Sequence, residues 1–348
     1  MFRTRRFAAS CAALFSSLCI GPALLAQQPS QTRQREHFAN ATVQYDFVGN
    51  SRGDKLRTFI TKPKNAAGKV PVIFFVGWLS CDSVEYVTES DGFGALIRRL
   101  IDQSGYATIR MDKPGVGESQ GTPCAKSDYQ GELEGYRAAF ASMKNYDFID
   151  PQRVFVVGLS NGGGLGPLVS AGRPVAGFVA AASWGRTWYE HMLENERVRL
   201  RTEHKSAAEI NEAVRAFTQF YDLYLIQGET PGEIIGQHPE WKPLWYDQPD
   251  GQYGRPASFY QQLQAVNLGQ AWQSVDVPVL VIHGSADTIM SHADSVAIAD
   301  IVNAAHPVRA RFVEIPGMGH DFTVKMQFHA PLIPLILQWM KDTLHARR

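Results

Sequence analysis

The 348-residue chain reads as an α/β fold: a mostly parallel eight-stranded sheet with helices on both faces and a helical cap inserted late in the sequence. Three observations predict it. Short apolar runs such as Val72-Ile73-Phe74-Phe75-Val76 are nearly continuous, as strands buried on both faces must be. Helical periodicity fills the stretches between those runs, so consecutive strands cross over and lie parallel. From 185 to 274 no such run occurs and only helical patterns remain, which marks an insertion.

The first segment lies outside that fold. Arg3, Arg5 and Arg6 precede an apolar stretch over 7–25, and Ala26 gives way to Gln27-Gln28-Pro29-Ser30. This pattern predicts a signal peptide over residues 1–26, cut after Ala26, and hence a periplasmic or secreted protein. Ser10, Ser16, Ser17, Gly21 and Pro22 interrupt the apolar core, which argues against a permanent membrane span. Residues 27–40 are expected to be a flexible segment and 41–348 the folded domain. With 34 basic and 34 acidic residues, nothing marks a nucleic-acid partner, and the expected ligand is a small molecule.

The elements follow in order. Segments 41–48 and 55–62 alternate apolar with polar residues, as an antiparallel edge pair does. The strands that follow are 72–76, 107–111, 154–157, 178–182, 279–282 and 311–315, most of them nearly continuous apolar runs. Helices are expected over 92–103, 128–146, 161–171, 292–305 and 331–345. In the insertion, Ser206 and Glu209 form a capping box, followed by Ile210, Val214, Phe217 and Tyr221 at helical spacing, and 258–272 is a second helix. The prolines and tryptophans between them make an irregular connection, its aromatics read mainly as cap core beside an apolar cleft.

Signal cleavage discards Cys11 and Cys19 and leaves Cys81 and Cys124, an even number in a disulfide-permissive compartment. Each follows a predicted strand at the same sheet edge, so a Cys81–Cys124 bridge is expected, with two buried thiols as the alternative.

The chemistry centres on Gly158-Leu159-Ser160-Asn161-Gly162, directly after the run Val154-Phe155-Val156-Val157. A serine on so sharp a strand-to-helix turn needs small residues two before and two after it, and Gly158 and Gly162 supply them. A hydroxyl is a weak nucleophile and needs a base plus a group that orients the base. His320, in the loop Gly317-Met318-Gly319-His320, follows the last strand and is the best base. Asp287, just beyond the strand ending at Ile282, is the orienting carboxylate, while His283 beside it is read as structural. Oxyanion donors are expected from the backbone N–H of Asn161 and of Trp78, with Leu79 as the fallback. Ser80 and Asp82 read as loop caps, and the loop Asp112 to Ser119 as shaping the site. His191, His204 and His238 read as solvated or packed cap histidines. No metal-ligand spacing stands out, and Gly162-Gly163-Gly164 completes no nucleotide-binding pattern, so no cofactor is expected.

On the elbow at Ser160, the segment His283 to Asp287 and the loop Gly317 to His320, the chain resembles the α/β-hydrolase superfamily over roughly residues 40–348. Within it, the chain is similar to secreted esterases and serine-aminopeptidase-like hydrolases with a helical cap. Where many members carry His-Gly before the oxyanion residue, this chain has Val76-Gly77. The resemblance implies a serine hydrolase, with carboxylic esters as the first expectation. A peptidase or amidase, holding a substrate amine on Glu190, Glu194 or Glu196, and a thioesterase are the alternatives, as is a non-catalytic module.

Overall fold

The computed structural model describes residues 34–347, so the expected signal peptide lies outside the described residues. The sheet strands are β1 Ala41–Gly49, β2 Lys55–Pro63, β3 Val70–Val76, β4 Ala107–Met111, β5 Ile149–Leu159, β6 Gly177–Ala181, β7 Val279–Gly284 and β8 Ala310–Ile315. They line up in the order β1-β2-β4-β3-β5-β6-β7-β8. β2 runs antiparallel to β1 and β4, and every other pairing is parallel. The eight-stranded, mostly parallel sheet expected from the sequence is therefore present.

Period-two alternation decides which helices each strand meets. On β3, Ile73 and Phe75 point to one face and Val72, Phe74 and Val76 to the other. The first face is covered by α1 Gly92–Ser104 and α10 Leu332–His345 through Leu96, Leu100, Ile336 and Met340. The second is covered by α2 Tyr129–Ala141, α3 Asn161–Val169 and α9 His292–Ala305 through Leu133, Leu165 and Ile298. Complete burial of each such aliphatic side chain contributes roughly 1.5–3 kcal/mol, which is why both faces demand helices.

The insertion between β6 and β7 holds α4 Trp188–Thr202, α5 Ala207–Tyr221, α6 Pro231–Gln237, α7 Ala257–Gln264 and α8 Leu268–Gln273. Reciprocal capping boxes start α4, α5 and α6, at Thr187, Ser206 and Thr230. Two expectations change here. The single helix over 258–272 is broken at Ala265 to Asn267, where Asn267 accepts from the Gln270 N–H and opens a new helix. That new helix, α8, packs beside α3 and α9, with Trp272 5.7 Å from Phe178, so it belongs to the sheet layer rather than to the cap.

The segment expected to be flexible is anchored at its end. Glu36 and Phe38 are buried, and Glu36 makes a bidentate pair with buried Arg110 at 2.7 and 2.6 Å and accepts from the Tyr86 N–H. The reason is Arg110 itself, which points out of β4 into the core and needs a carboxylate there. Among the described residues no helix is long and apolar enough to cross a membrane.

Candidate active site

β5 ends at Leu159 and α3 begins at Asn161, leaving Ser160 alone on the turn with φ 55° and ψ −126°. Such a conformation costs a non-glycine residue about 1–3 kcal/mol, and the surroundings must hold it. A Cβ on Gly158 would lie 2.3 Å from the Gly163 Cα, and one on Gly162 would lie 2.2 Å from the Val76 carbonyl oxygen. The Ser160 N–H donates to the Ala181 carbonyl at 2.9 Å, tying the turn to β6.

His320 Nε2 lies 2.9 Å from Ser160 Oγ, and its Nδ1 lies 2.9 Å from Asp287 Oδ2. The other carboxylate oxygen of Asp287 accepts the N–H groups of Ile289 and Met290 at 2.8 and 2.9 Å. The two loops carrying Asp287 and His320 are laced together: the Ser285 N–H donates to the Ile315 carbonyl, the Ala286 N–H to that of Met318, and the Gly317 N–H to Ser285 Oγ. Asp321, next to the histidine, closes a turn on Thr323 instead. Three residues from three strand ends thus form one hydrogen-bonded chain beneath a cleft. In it the carboxylate can orient the ring, and the ring can take the serine proton.

The other two candidates, Asn161 and Trp78, line the same cavity as Ser160. The Asn161 N–H is the first of α3, without an intrahelical acceptor, at the positive end of the helix dipole. Across from it, the N–H groups of Trp78 and Leu79 have no protein hydrogen bond among the described residues. What holds that loop is Lys113, which the sequence did not single out. Its buried ammonium donates to the carbonyls of Trp78, Leu79 and Ser80, the last two at 2.9 Å. Burial and the nearby Arg255 push its pKa well below the usual lysine value. Its neighbour Asp112 accepts from the Val84 N–H at 2.8 Å and from Ser83, while burial raises its carboxyl to about 6. The loop expected to shape the site does so through these two side chains.

Cys81 and Cys124 are joined, with Cα atoms 5.8 Å apart. Arg255, from the cap, rests on the bridge: its Nη1 lies 2.7 Å from the Cys124 carbonyl oxygen and it pairs with Glu132 on α2. Ser80 Oγ donates to Asp82, as expected of loop caps.

A cavity of about 280 Å³ opens over Ser160. Trp78, Phe93, Trp188, Tyr253, Ile289 and Met290 wall it, with Ser80, Asn161, His191 and Asn195 as polar members, and among the described residues no Asp, Glu, Lys or Arg lines it. A wider cavity of about 520 Å³ between Lys69, Met143 and Arg173 sits at the amino ends of β3 and β5, opposite the end of β5 that leads to Ser160. The Trp78 side chain packs on Phe93, with 4.8 Å between ring centres. Phe93 had no signal in the sequence beyond its place in α1. The three glutamates expected to hold an amine in a peptidase are otherwise engaged: Glu190 caps α4, Glu194 faces Arg197 and Arg201, and Glu196 is buried against Arg199 and Tyr246. Away from the cleft, His283, His292 and Glu314 bring ligand atoms within 4.8 Å of one another, a grouping that a metal ion would suit. They come from three elements, so no sequence spacing marks them, and His292 Nδ1 is hydrogen-bonded to Glu314 at 2.6 Å.

Sheet order, nucleophile turn and site geometry define an α/β-hydrolase, and the chain is a serine hydrolase of that type. Residues 86–325 match the family described as serine aminopeptidase, S33, and the chain belongs to that family. Similar solved structures include Est1E from Butyrivibrio proteoclasticus, with 17% identity, TM-score 0.56, and coverage of 86% of this chain and 99% of that one. The proline iminopeptidase of Mycobacterium smegmatis has 19% identity, TM-score 0.56, and coverage of 88% and 100%. A shorter likeness, 42% identity over 60 residues, joins it to the quorum-quenching protein AidA of Acinetobacter baumannii (strain MDR-ZJ06). It spans 17% of this chain and only 20% of that relative.

Proposed function

We propose that the protein hydrolyses carboxylic esters by acyl transfer through Ser160, His320 and Asp287. Ser160 Oγ attacks the ester carbonyl carbon while His320 Nε2 takes its proton, and Asp287 stabilises the imidazolium through Nδ1–H. The carbonyl oxygen becomes an oxyanion held by the N–H groups of Asn161 and Trp78, with Leu79 beside it. Collapse breaks the bond to the alcohol, which leaves with the proton from His320. Water, deprotonated by the same histidine, then releases the acid and restores the serine.

The observation that carries the ester reading is the lining of the cleft. An enzyme that binds a peptide amino terminus needs a carboxylate to receive the ammonium, and among the described residues none lines this cavity. The family description and the iminopeptidase neighbour favour the peptidase or amidase alternative, so the test must separate the two. Export completes the proposal: the arginines before the apolar stretch and Ala26 read as a cleaved signal, and a disulfide suits an oxidising compartment.

Turnover of a short-chain nitrophenyl ester beside an aminoacyl anilide, in the mature protein and in Ser160→Ala, tests it. Ester cleavage is expected, falling by at least about 10⁴-fold in the variant. Preferential Ser160-dependent anilide cleavage would move the assignment to the peptidases, and full turnover by Ser160→Ala would sink the nucleophile.

A further inference from the structure

Acyl transfer leaves one buried titratable side chain of the cleft without a task. On α4, Trp188, His191 and Asn195 recur at three- and four-residue spacing and so share one face, which lines the cavity over Ser160. His191 is only 1% exposed, and its Nδ1 lies 3.0 Å from Asp294 Oδ2. Trp188 and Trp184 pack on the imidazole at 4.8 and 5.7 Å between ring centres, so the ring is held in place.

The surroundings of Asp294 decide what His191 offers. Arg186 donates to Oδ1 at 2.6 Å, and Ser291 Oγ donates to Oδ2 at 2.8 Å. Burial opposes ionisation of Asp294, but His191 and Arg186 outweigh it and hold the carboxyl down at about 2. An ionised carboxylate only accepts, so His191 Nδ1 carries a proton and donates it. With the Nδ1 proton engaged on Asp294, the neutral tautomer of the ring carries its lone pair at Nε2. Among the described residues no protein group hydrogen-bonds to that nitrogen, nor to the side chain of Asn195 one turn further on. In a cleft walled mainly by Trp, Phe, Tyr, Ile and Met, an unpaired acceptor discriminates strongly in favour of a ligand that supplies the donor.

We propose that His191, positioned by Asp294, is a specificity residue whose Nε2 accepts a hydrogen bond from a hydroxyl or amide N–H of the substrate. The preferred esters are then uncharged but carry such a donor within reach of the cleft face of α4. This rests on the ester reading above.

The test compares kcat/KM on matched pairs: nitrophenyl hexanoate against nitrophenyl 3-hydroxyhexanoate and 6-hydroxyhexanoate, and ethyl against 2-hydroxyethyl hexanoate. Wild type should favour at least one hydroxylated member by roughly tenfold, mainly through KM. His191→Phe should bring that ratio to about one, and His191→Gln, which keeps an acceptor, should retain part of it. Each ratio is taken within one preparation, so a partly misfolded variant changes both members equally. Asn195→Ala, at a half-buried position, gives a second reading if His191→Phe does not fold, and it should reduce the ratio without abolishing it. A wild-type ratio near one at every position, or one unchanged in His191→Phe and Asn195→Ala, would overturn the proposal. Absence of Ser160-dependent turnover on every ester would bring down the ester reading, and this inference with it.

Discussion

At the carboxyl edge of the sheet each functional group is held by hydrogen bonds to a neighbour, whereas the cap across the cleft holds its residues largely by aromatic contact. Asp287 and His320 sit on loops laced by backbone bonds, and buried Lys113 holds three successive carbonyls of the Trp78 loop. In the cap, Phe220 stacks on Trp245 at 5.1 Å and Trp188 lies 5.1 Å from Tyr260. Hydrogen bonds are directional and hold atoms to tenths of an ångström, which proton transfer requires. Aromatic packing gives area and shape with looser orientation, which suits recognition of a substrate body. One exception in the cap is His191, paired with Asp294 in the manner of the sheet edge.

Three variants put that contrast to the test. The largest effect is expected from Asp287→Asn. The asparagine oxygen can keep the bonds from Ile289 and Met290, but its amide cannot accept from His320 Nδ1, so kcat should fall by about 10⁴-fold while the fold survives. Steady-state kinetics with a parallel thermal melt checks it, and a tenfold loss or less would mean that geometry at this edge matters little. Next comes the joint between the regions. Replacing Cys81 and Cys124 together by Ser opens a link across a separation of 43 residues, worth at most about 4 kcal/mol in the chain-entropy description. Urea titration should show a loss approaching that figure, and an unchanged midpoint would mean that Arg255 and Glu132 hold the joint without the bridge. The smallest effect belongs to the cap rim. Tyr253 lines the cleft but is 39% exposed, so Tyr253→Ala should raise KM roughly threefold with kcat nearly constant. A large fall in kcat would show the cap to be as exacting as the edge.

Much of the edge was legible in the chain. The pair Gly158 and Gly162 marks a turn that admits no Cβ, because the backbone of Gly163 and Val76 stands within 2.3 Å of where one would be. His320 and Asp287 were legible because each follows a predicted strand, and parallel strands deliver their loops to one edge. The cap was legible only as a helical interval. The break at Asn267, the placement of α8 beside α3 and the anchoring of Glu36 depend on partners far away in sequence, so local periodicity carried no trace of them.

Local and short-range physics therefore sufficed for the strand runs, the capping boxes, the nucleophile turn and the three side chains that meet there. Each depends on a period, a missing Cβ or a strand end that can be read from a few neighbouring residues. Only the tertiary structure decided that Lys113 grips the Trp78 loop, that Glu196 is buried away from the cleft, and that His191 meets Asp294 across 103 positions. Those outcomes turn on which charged groups share a buried volume. Burial leaves a charge no stable alternative to its partner, and the partner can come from anywhere in the chain.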